Sequence, residues 1–540
     1  MPYTGYAFTI AVCIIVGLVA SSRIRERWYP FALYGTGLGL VLITTLAGPY
    51  LIGSDIHLEY YYAQLRAGKD VWAPLYIASY GASVLGYVSS WIWTFKVIYP
   101  LLFALVPVIL YKVFQKWLTP QQSFLASFLF IALPTFFMEL PSISKEMIAE
   151  LVLAALLFFL IKSSLSLKRK LPALVILGAL IPLIHYSVAM VSVIIFGVGF
   201  LVGLILKNRM WKTLGATLAV IILASSIYFP LAEQGAVALH LGWYWNHLTP
   251  QALHININMI PQIQPEAPNP LGVTEFPGPR DPLVPPPEPT YINKLEALMQ
   301  AGLGADFMRV NVYGKMFRSL QWGILVLIGI GLWRLRKNKG YWVVASGAIL
   351  ILLLCLVPGW ASILNTTRFM HLSLFLIAPA FAVALKPKYL LIILISYFLF
   401  TSGFIFEITK QPNVESITIP YSIGLSDHRM DLGATFTKDD VIARQYIIDN
   451  NLFPINSDVY GSYFFSEKVG QREDLNWALP KTPVPLRGYI FVRSRSTQDG
   501  TLTIWNGVGC RRFVDPSVYG IDFDENVIFQ SGDSKVLEVK

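Results

Sequence analysis

The sequence predicts a polytopic α-helical membrane protein with about twelve transmembrane helices and a C-terminal extracytoplasmic α/β domain. Three observations carry this. Of 540 residues, 55% are hydrophobic and only 14% charged, with a mean hydropathy of +0.56, which is far from a soluble domain. Apolar runs of about 17–22 residues, long enough to cross ~30 Å of hydrocarbon as helices, recur up to residue 407. Beyond that point the chain turns polar.

The runs lie at 5–22, 29–50, 96–114, 120–138, 145–162, 171–185, 188–206, 213–231, 319–335, 341–357, 368–385 and 388–407. No basic segment precedes the first and no clear cleavage site follows it, so it reads as a retained helix and not a signal peptide. Only His185-Tyr186-Ser187 separates the sixth from the seventh, and a re-entrant pair is the alternative there. Basic clusters fall in every second connection: Arg23/Arg25/Arg27, Lys112/Lys116, Lys162/Lys168/Arg169/Lys170, Lys207/Arg209/Lys212, Arg334/Arg336/Lys337/Lys339 and Lys386/Lys388. With all of them cytoplasmic, the positive-inside rule holds throughout. The expectation is a multi-pass protein of the plasma membrane with both termini extracytoplasmic. The net charge of +10 then mostly records topology, and no basic, aromatic-interleaved run points to nucleic acid. Cys13, Cys355 and Cys510 make neither a disulfide framework nor a metal knuckle.

Two units follow, a membrane module over 1–407 and a polar region over 408–540. The module's first large outer loop, 51–95, opens on a helix-start signal, Gly53-Ser54-Asp55, and a stop signal stands at Gly68. Between them Asp55, Glu59, Tyr62 and Arg66 share one helical face. Asp55 reads either as a helix cap or as a reacting carboxylate, and the two are compatible. The stretch from Val71 to Trp93 is aromatic and half apolar, which predicts helices lying in the interface. A long outer loop, 232–317, carries His240, His247 and His254. Their spacing of two helical turns, about 10.5 Å, is too wide for two to share one metal ion. From Pro261 to Pro289 it is too proline-rich for regular structure. In 408–540 the patterns predict a helix from Lys438 to Asn450 and strands at Tyr489–Val492, Leu502–Trp505, Val527–Phe529 and Lys535–Val539. No nucleophile–base set is found there.

Ionisable residues at span edges are costly and point to function. One side of the module collects Asp55, Glu59, Glu139, Lys145, Glu146, His185, Arg368 and His371. Arg368 and His371 are i and i+3 on one face. An arginine at headgroup depth suits a phosphate, with snorkelling as the plain alternative. A lone buried His is more often a packing residue, and Glu146 also suits a helix N-terminus. Lys145, His185 and Tyr186 complete the candidate substrate-binding set. A carboxylate pair beside phosphate binders fits sugar transfer from a polyprenyl phosphate. A carboxylate takes the acceptor's proton, and cations stabilise the leaving phosphate.

This layout resembles the GT-C superfamily of membrane glycosyltransferases, which carry an essential Asp in the first large outer loop, just after a span. Asp55 in Gly53-Ser54-Asp55-Ile56-His57-Leu58-Glu59-Tyr60-Tyr61 is the matching position. With Ile184-His185-Tyr186-Ser187 and Thr367-Arg368-Phe369, it also resembles a group of uncharacterised archaeal multi-pass proteins. Two features depart from the pattern: an extra span, 5–22, precedes the loop, and no WWDYG-like motif is present. The resemblance implies a glycosyltransferase with a polyprenyl-phosphate-linked sugar donor, acting beside membrane lipid on a glycan, lipid or protein acceptor. Asp55 would be the general base and Glu59 a second carboxylate. Arg368 would bind phosphate, helped by His371 and Lys145. Members differ in needing a divalent metal such as Mg or Mn; Asp55, His57 and Glu59 are the donors on offer, and the metal stays open. The alternatives are a polymerase or ligase of lipid-linked glycans and a lipid-linked glycan transporter or flippase.

Overall fold

A computed structural model describes residues 2–53, 55–67, 91–162, 165–231, 312–354, 366–409, 435–469, 486–505, 511–514 and 516–539. Most of the expected interface stretch, the loop histidines and the proline-rich segment lie outside the described residues.

Helices occupy the apolar runs: α1 Pro2–Ala20, α2 Tyr29–Thr45, then α3 Asp55–Ala67 in the loop, α4 Thr94–Phe114 and α5 Pro120–Ile131. They continue as α6 Ser144–Leu157, α7 Leu167–Ile184, α8 Tyr186–Ile205, α9 Met210–Leu231, α10 Val312–Arg334, α11 Lys339–Leu354, α12 Thr366–Ala384 and α13 Pro387–Thr401. Local chemistry explains the sharpest start. The Thr119 hydroxyl accepts from the Gln122 N–H, the Gln122 side chain accepts from the Thr119 N–H, and Pro120 takes the first helical position, where no N–H is needed.

Among the described residues, five helices are long and apolar enough to cross a membrane: Thr94–Phe114, Tyr186–Ile205, Met210–Phe229, Val312–Arg334 and Thr367–Ala384. Three shorter apolar helices accompany them, Gly5–Ala20, Lys339–Leu354 and Pro387–Thr401. The fourth run, expected as one span over 120–138, is broken. Pro134 supplies no N–H, and the chain bends by 54° between Pro120–Ile131 and Thr135–Ser142. The ninth helix of the runs begins at Val312, earlier than the expected 319, and so takes Arg318 into its buried face. The sixth and seventh runs are separate helices, joined by the extended residue His185.

Burial divides the helices into inner and outer. Of the apolar window in α12, 78% is buried inside the protein, against 28% in α9. Ile222, Leu223 and Ile227 of α9 and Leu201, Leu204 and Ile205 of α8 are exposed, an apolar surface that water does not favour and lipid does. Inside, glycines let backbones meet. A Cβ on Gly347 would meet the backbone of Ile195, and one on Gly331 the backbone of Ala380, the small-residue packing of membrane helices.

In the C-terminal part, α14 Lys438–Asp449 and α15 Val459–Val469 pack on strands ordered β1-β2-β6-β5. Here β1 is Ile455–Ser457, β2 Tyr489–Val492, β5 Val527–Ser531 and β6 Ser534–Glu538. The β1–β2 pair is parallel and the other two are antiparallel. A separate antiparallel pair joins β3 Leu502–Trp505 to β4 Arg511–Val514. The sequence patterns did not foresee β1, α15 and β4. α15 is the element that reaches the membrane module: it packs on α3, and Tyr50 and Ile52 join its core with Phe436 and Phe464.

The turn into α3 is held by Gly53. Its φ is +128°, and a Cβ there would lie 2.8 Å from the Ser142 Cα and closer still to the Ser142 side chain. Gly53→Ala therefore strains the backbone, at a cost of roughly 1–3 kcal/mol, and pushes α3 off the 139–142 turn. Thermal melting of the purified variant should show that loss; an unchanged melting temperature would contradict the close approach.

Candidate functional site

Four sequence-distant elements bring their ends together opposite the basic clusters: α3, the N-terminus of α6, the α7–α8 junction and the N-terminus of α12. Lys145 stands at the centre. Its Nζ lies 3.8 Å from the Asp55 carboxylate and 3.8 Å from that of Glu59. One turn across, the Arg368 Nη1 lies 3.2 Å from the Glu146 carboxylate, and the His185 Nε2 lies 3.9 Å from the same oxygen. Asp55 and Glu139 also act on the Arg368 guanidinium electrostatically, as does Tyr186. Thr367 donates to Glu139 at 2.8 Å.

The two carboxylates of α3 have different surroundings. Asp55 is the first residue of the helix and its side chain is 37% exposed. Glu59, one turn on, is buried. It accepts from the Ser144 hydroxyl and, at 3.2 Å, from the Lys145 backbone N–H. Ile143, the residue before α6, offers no side-chain cap, so Glu59 caps α6 from another helix. Glu59 anchors the cluster, and Asp55 is the carboxylate left at its open side.

Burial pushes the Glu59 carboxyl up to about 7, against the opposing pull of Lys145 and the Ser144 hydrogen bond. A raised carboxyl keeps a proton that the unfolded chain has already released. Stability therefore falls as pH rises from 4.5 to about 7 and this contribution is level above that. Glu59→Gln should flatten that fall. Melting curves of both proteins across the interval test it, and parallel curves would contradict it.

His185 caps α8. Its Nδ1 accepts from the Val188 N–H and faces the Ser187 hydroxyl at 2.9 Å. In the neutral ring the proton then sits on Nε2, facing Glu146. Tyr186 stacks on the imidazole at 5.4 Å between ring centroids.

Two expectations need correction. His371, expected to help bind phosphate, is fully buried one turn deeper. Its Nε2 lies 3.2 Å from Glu150, and its ring packs on Phe130. It shares a face of α12 with Arg368, as the spacing predicts, but its ring nitrogen is taken by Glu150. The donor set Asp55, His57 and Glu59 does not assemble either. Residues i and i+2 of a helix point about 200° apart. The His57 ring faces Glu467 of α15 at 2.8 Å and stands edge-on to the stacked Phe436 and Phe464, while the Lys145 ammonium takes the place between the two carboxylates. Among the described residues no group of three His, Cys, Asp or Glu side chains converges as a metal site.

The protein matches no protein-family model and no curated protein.

Several contributors escaped the sequence reading. Glu150 had a signal, an acid inside an apolar run and four residues after Glu146. Glu467 had none, being 410 residues from His57. Arg444 also pairs with it, at 3.5 Å. Burial would raise the Glu467 carboxyl, but His57 and Arg444 outweigh it and hold the group below its usual range. Tyr463, one turn before Glu467, feels both Asp55 and Arg368; burial first, then Asp55, pushes its phenol up.

Proposed function

We propose that this protein is a GT-C-type glycosyltransferase of the plasma membrane, moving a sugar from a polyprenyl-phosphate-linked donor to an acceptor outside the cell. In this reading the apolar helices form twelve spans, both termini are extracytoplasmic, and the C-terminal part covers α3. The observation that carries it is the convergence of Asp55, Lys145, Glu146, His185 and Arg368 at one end of the bundle. A half-exposed carboxylate stands beside two cations, and in this reading they lie at the level of the lipid phosphates. Arg368 and Lys145 hold the phosphate and offset its growing charge as the sugar leaves. Asp55 takes the proton of the attacking hydroxyl. The acceptor's O–H bond and the donor's sugar–oxygen bond to phosphate break as the new glycosidic bond forms, with the proton ending on Asp55.

A second reading, transport of a lipid-linked glycan, draws on the buried Glu150–His371 pair and the 54° break after α5, since transporters keep charges and broken helices deep in the membrane. Binding to the full chain in lipid vesicles tests the shared premise. Polyprenyl phosphate should bind more tightly than the uncharged polyprenol of the same length. Equal binding of the two would remove the phosphate site and the proposal with it.

A further inference from the structure

Glu146 sits where the site is least explained. Its side chain is 1% exposed. Neither of its oxygens accepts a hydrogen bond among the described residues, although a carboxylate can accept about four. Arg368 at 3.2 Å supplies the opposite charge without the alignment of a hydrogen bond, and its own Nε also lacks an acceptor among the described residues. His185 at 3.9 Å is too far. A buried carboxylate left without donors costs several kcal/mol, on the order of the full desolvation penalty. The charge has a partner; the hydrogen bonds do not. A metal ion or an ammonium would answer the wrong need, and an anion placed directly on the Glu146 oxygens, away from Arg368, would be repelled. What fits is a neutral group rich in O–H donors, held beside the anion that Arg368 binds.

We infer that Glu146 is the sugar-recognition residue of this site: its carboxylate accepts hydrogen bonds from hydroxyls of the donor's sugar while Arg368 holds the adjoining phosphate. The inference rests on the transferase reading. Sugar and phosphate are joined through one oxygen, so a residue touching the phosphate-binding guanidinium is within reach of the ring hydroxyls. Two oxygens in one plane match two neighbouring hydroxyls. A site built to accept such hydrogen bonds rejects analogues that lack them, because its buried acceptors stay unpaired.

The test is equilibrium binding to the full chain in lipid vesicles, with bare polyprenyl phosphate, a panel of polyprenyl-phosphate hexoses, and mono-deoxy analogues of the hexose that binds best. The wild type should bind that hexose about ten- to a hundredfold more tightly than at least one deoxy analogue. Glu146→Leu, which carries no acceptor, should erase this difference while still binding bare polyprenyl phosphate. Equal binding of every deoxy analogue by the wild type would overturn the inference, and that arm stands even if the variant fails to fold. So would a variant that loses bare phosphate together with the hexose, since Glu146 would then only hold Arg368. A wild type that binds no polyprenyl phosphate at all would defeat the transferase reading itself.

Discussion

Asp55→Asn is expected to lower sugar transfer by about a hundredfold to ten-thousandfold, the usual contribution of a general base, with donor binding changed only a few fold. The amide keeps the shape and can still meet Lys145 through its oxygen. It cannot take a proton. The variant should fold, because the anchoring of α3 rests on other residues. Glu59 caps α6, Gly53 seats the turn on Ser142, and His57 holds Glu467 at 2.8 Å. Transfer rates and donor affinity measured on the same preparation check it. A variant that transfers at the wild-type rate would return Asp55 to the role of a helix-terminal residue.

Arg368→Ala is expected to fail in two ways at once. Donor binding is lost with the guanidinium. The protein is also destabilised by about 3–5 kcal/mol, because removing one partner of a buried pair leaves Glu146 uncompensated in the interior. The two effects separate in a double variant. Arg368→Met with Glu146→Leu replaces the whole pair by apolar side chains of similar size, which is commonly neutral or stabilising. It should recover most of the melting temperature and none of the donor binding. If the double variant melts as low as Arg368→Ala, the ion pair is not the source of the loss.

How much of this was readable in the chain depends on how far apart the partners lie. The helices were legible because twenty apolar residues report a local property, and the strands at Tyr489–Val492 and Leu502–Trp505 because alternation does too. The break at Pro134 was visible as a proline but not as a bend, since hydropathy averages across it. The membership of the cluster was largely legible: costly charges at helix ends stand out in an apolar sequence, and Asp55, Lys145, His185 and Arg368 are all there. Partners were not. The spacing puts His371 one turn deeper than Arg368, but nothing in it says that Arg368 meets Glu146 and His371 meets Glu150. Roles were not legible either. Nothing near Glu59 in sequence says that it caps a helix beginning 85 residues later, and nothing near His57 points to α15. Such pairings are made by packing alone.

The most direct measurement is transfer itself. Purified protein in lipid vesicles would be given a panel of radiolabelled polyprenyl-phosphate sugars with mixed glycan, lipid and peptide acceptors, the wild type beside Asp55→Asn. The account predicts labelled product from at least one donor with the wild type, and with the variant a bound donor that stays intact. If no donor yields product and the two proteins bind the panel equally weakly, the cluster around Arg368 is not a transferase site, and the buried Glu150–His371 pair becomes the place to look for transport.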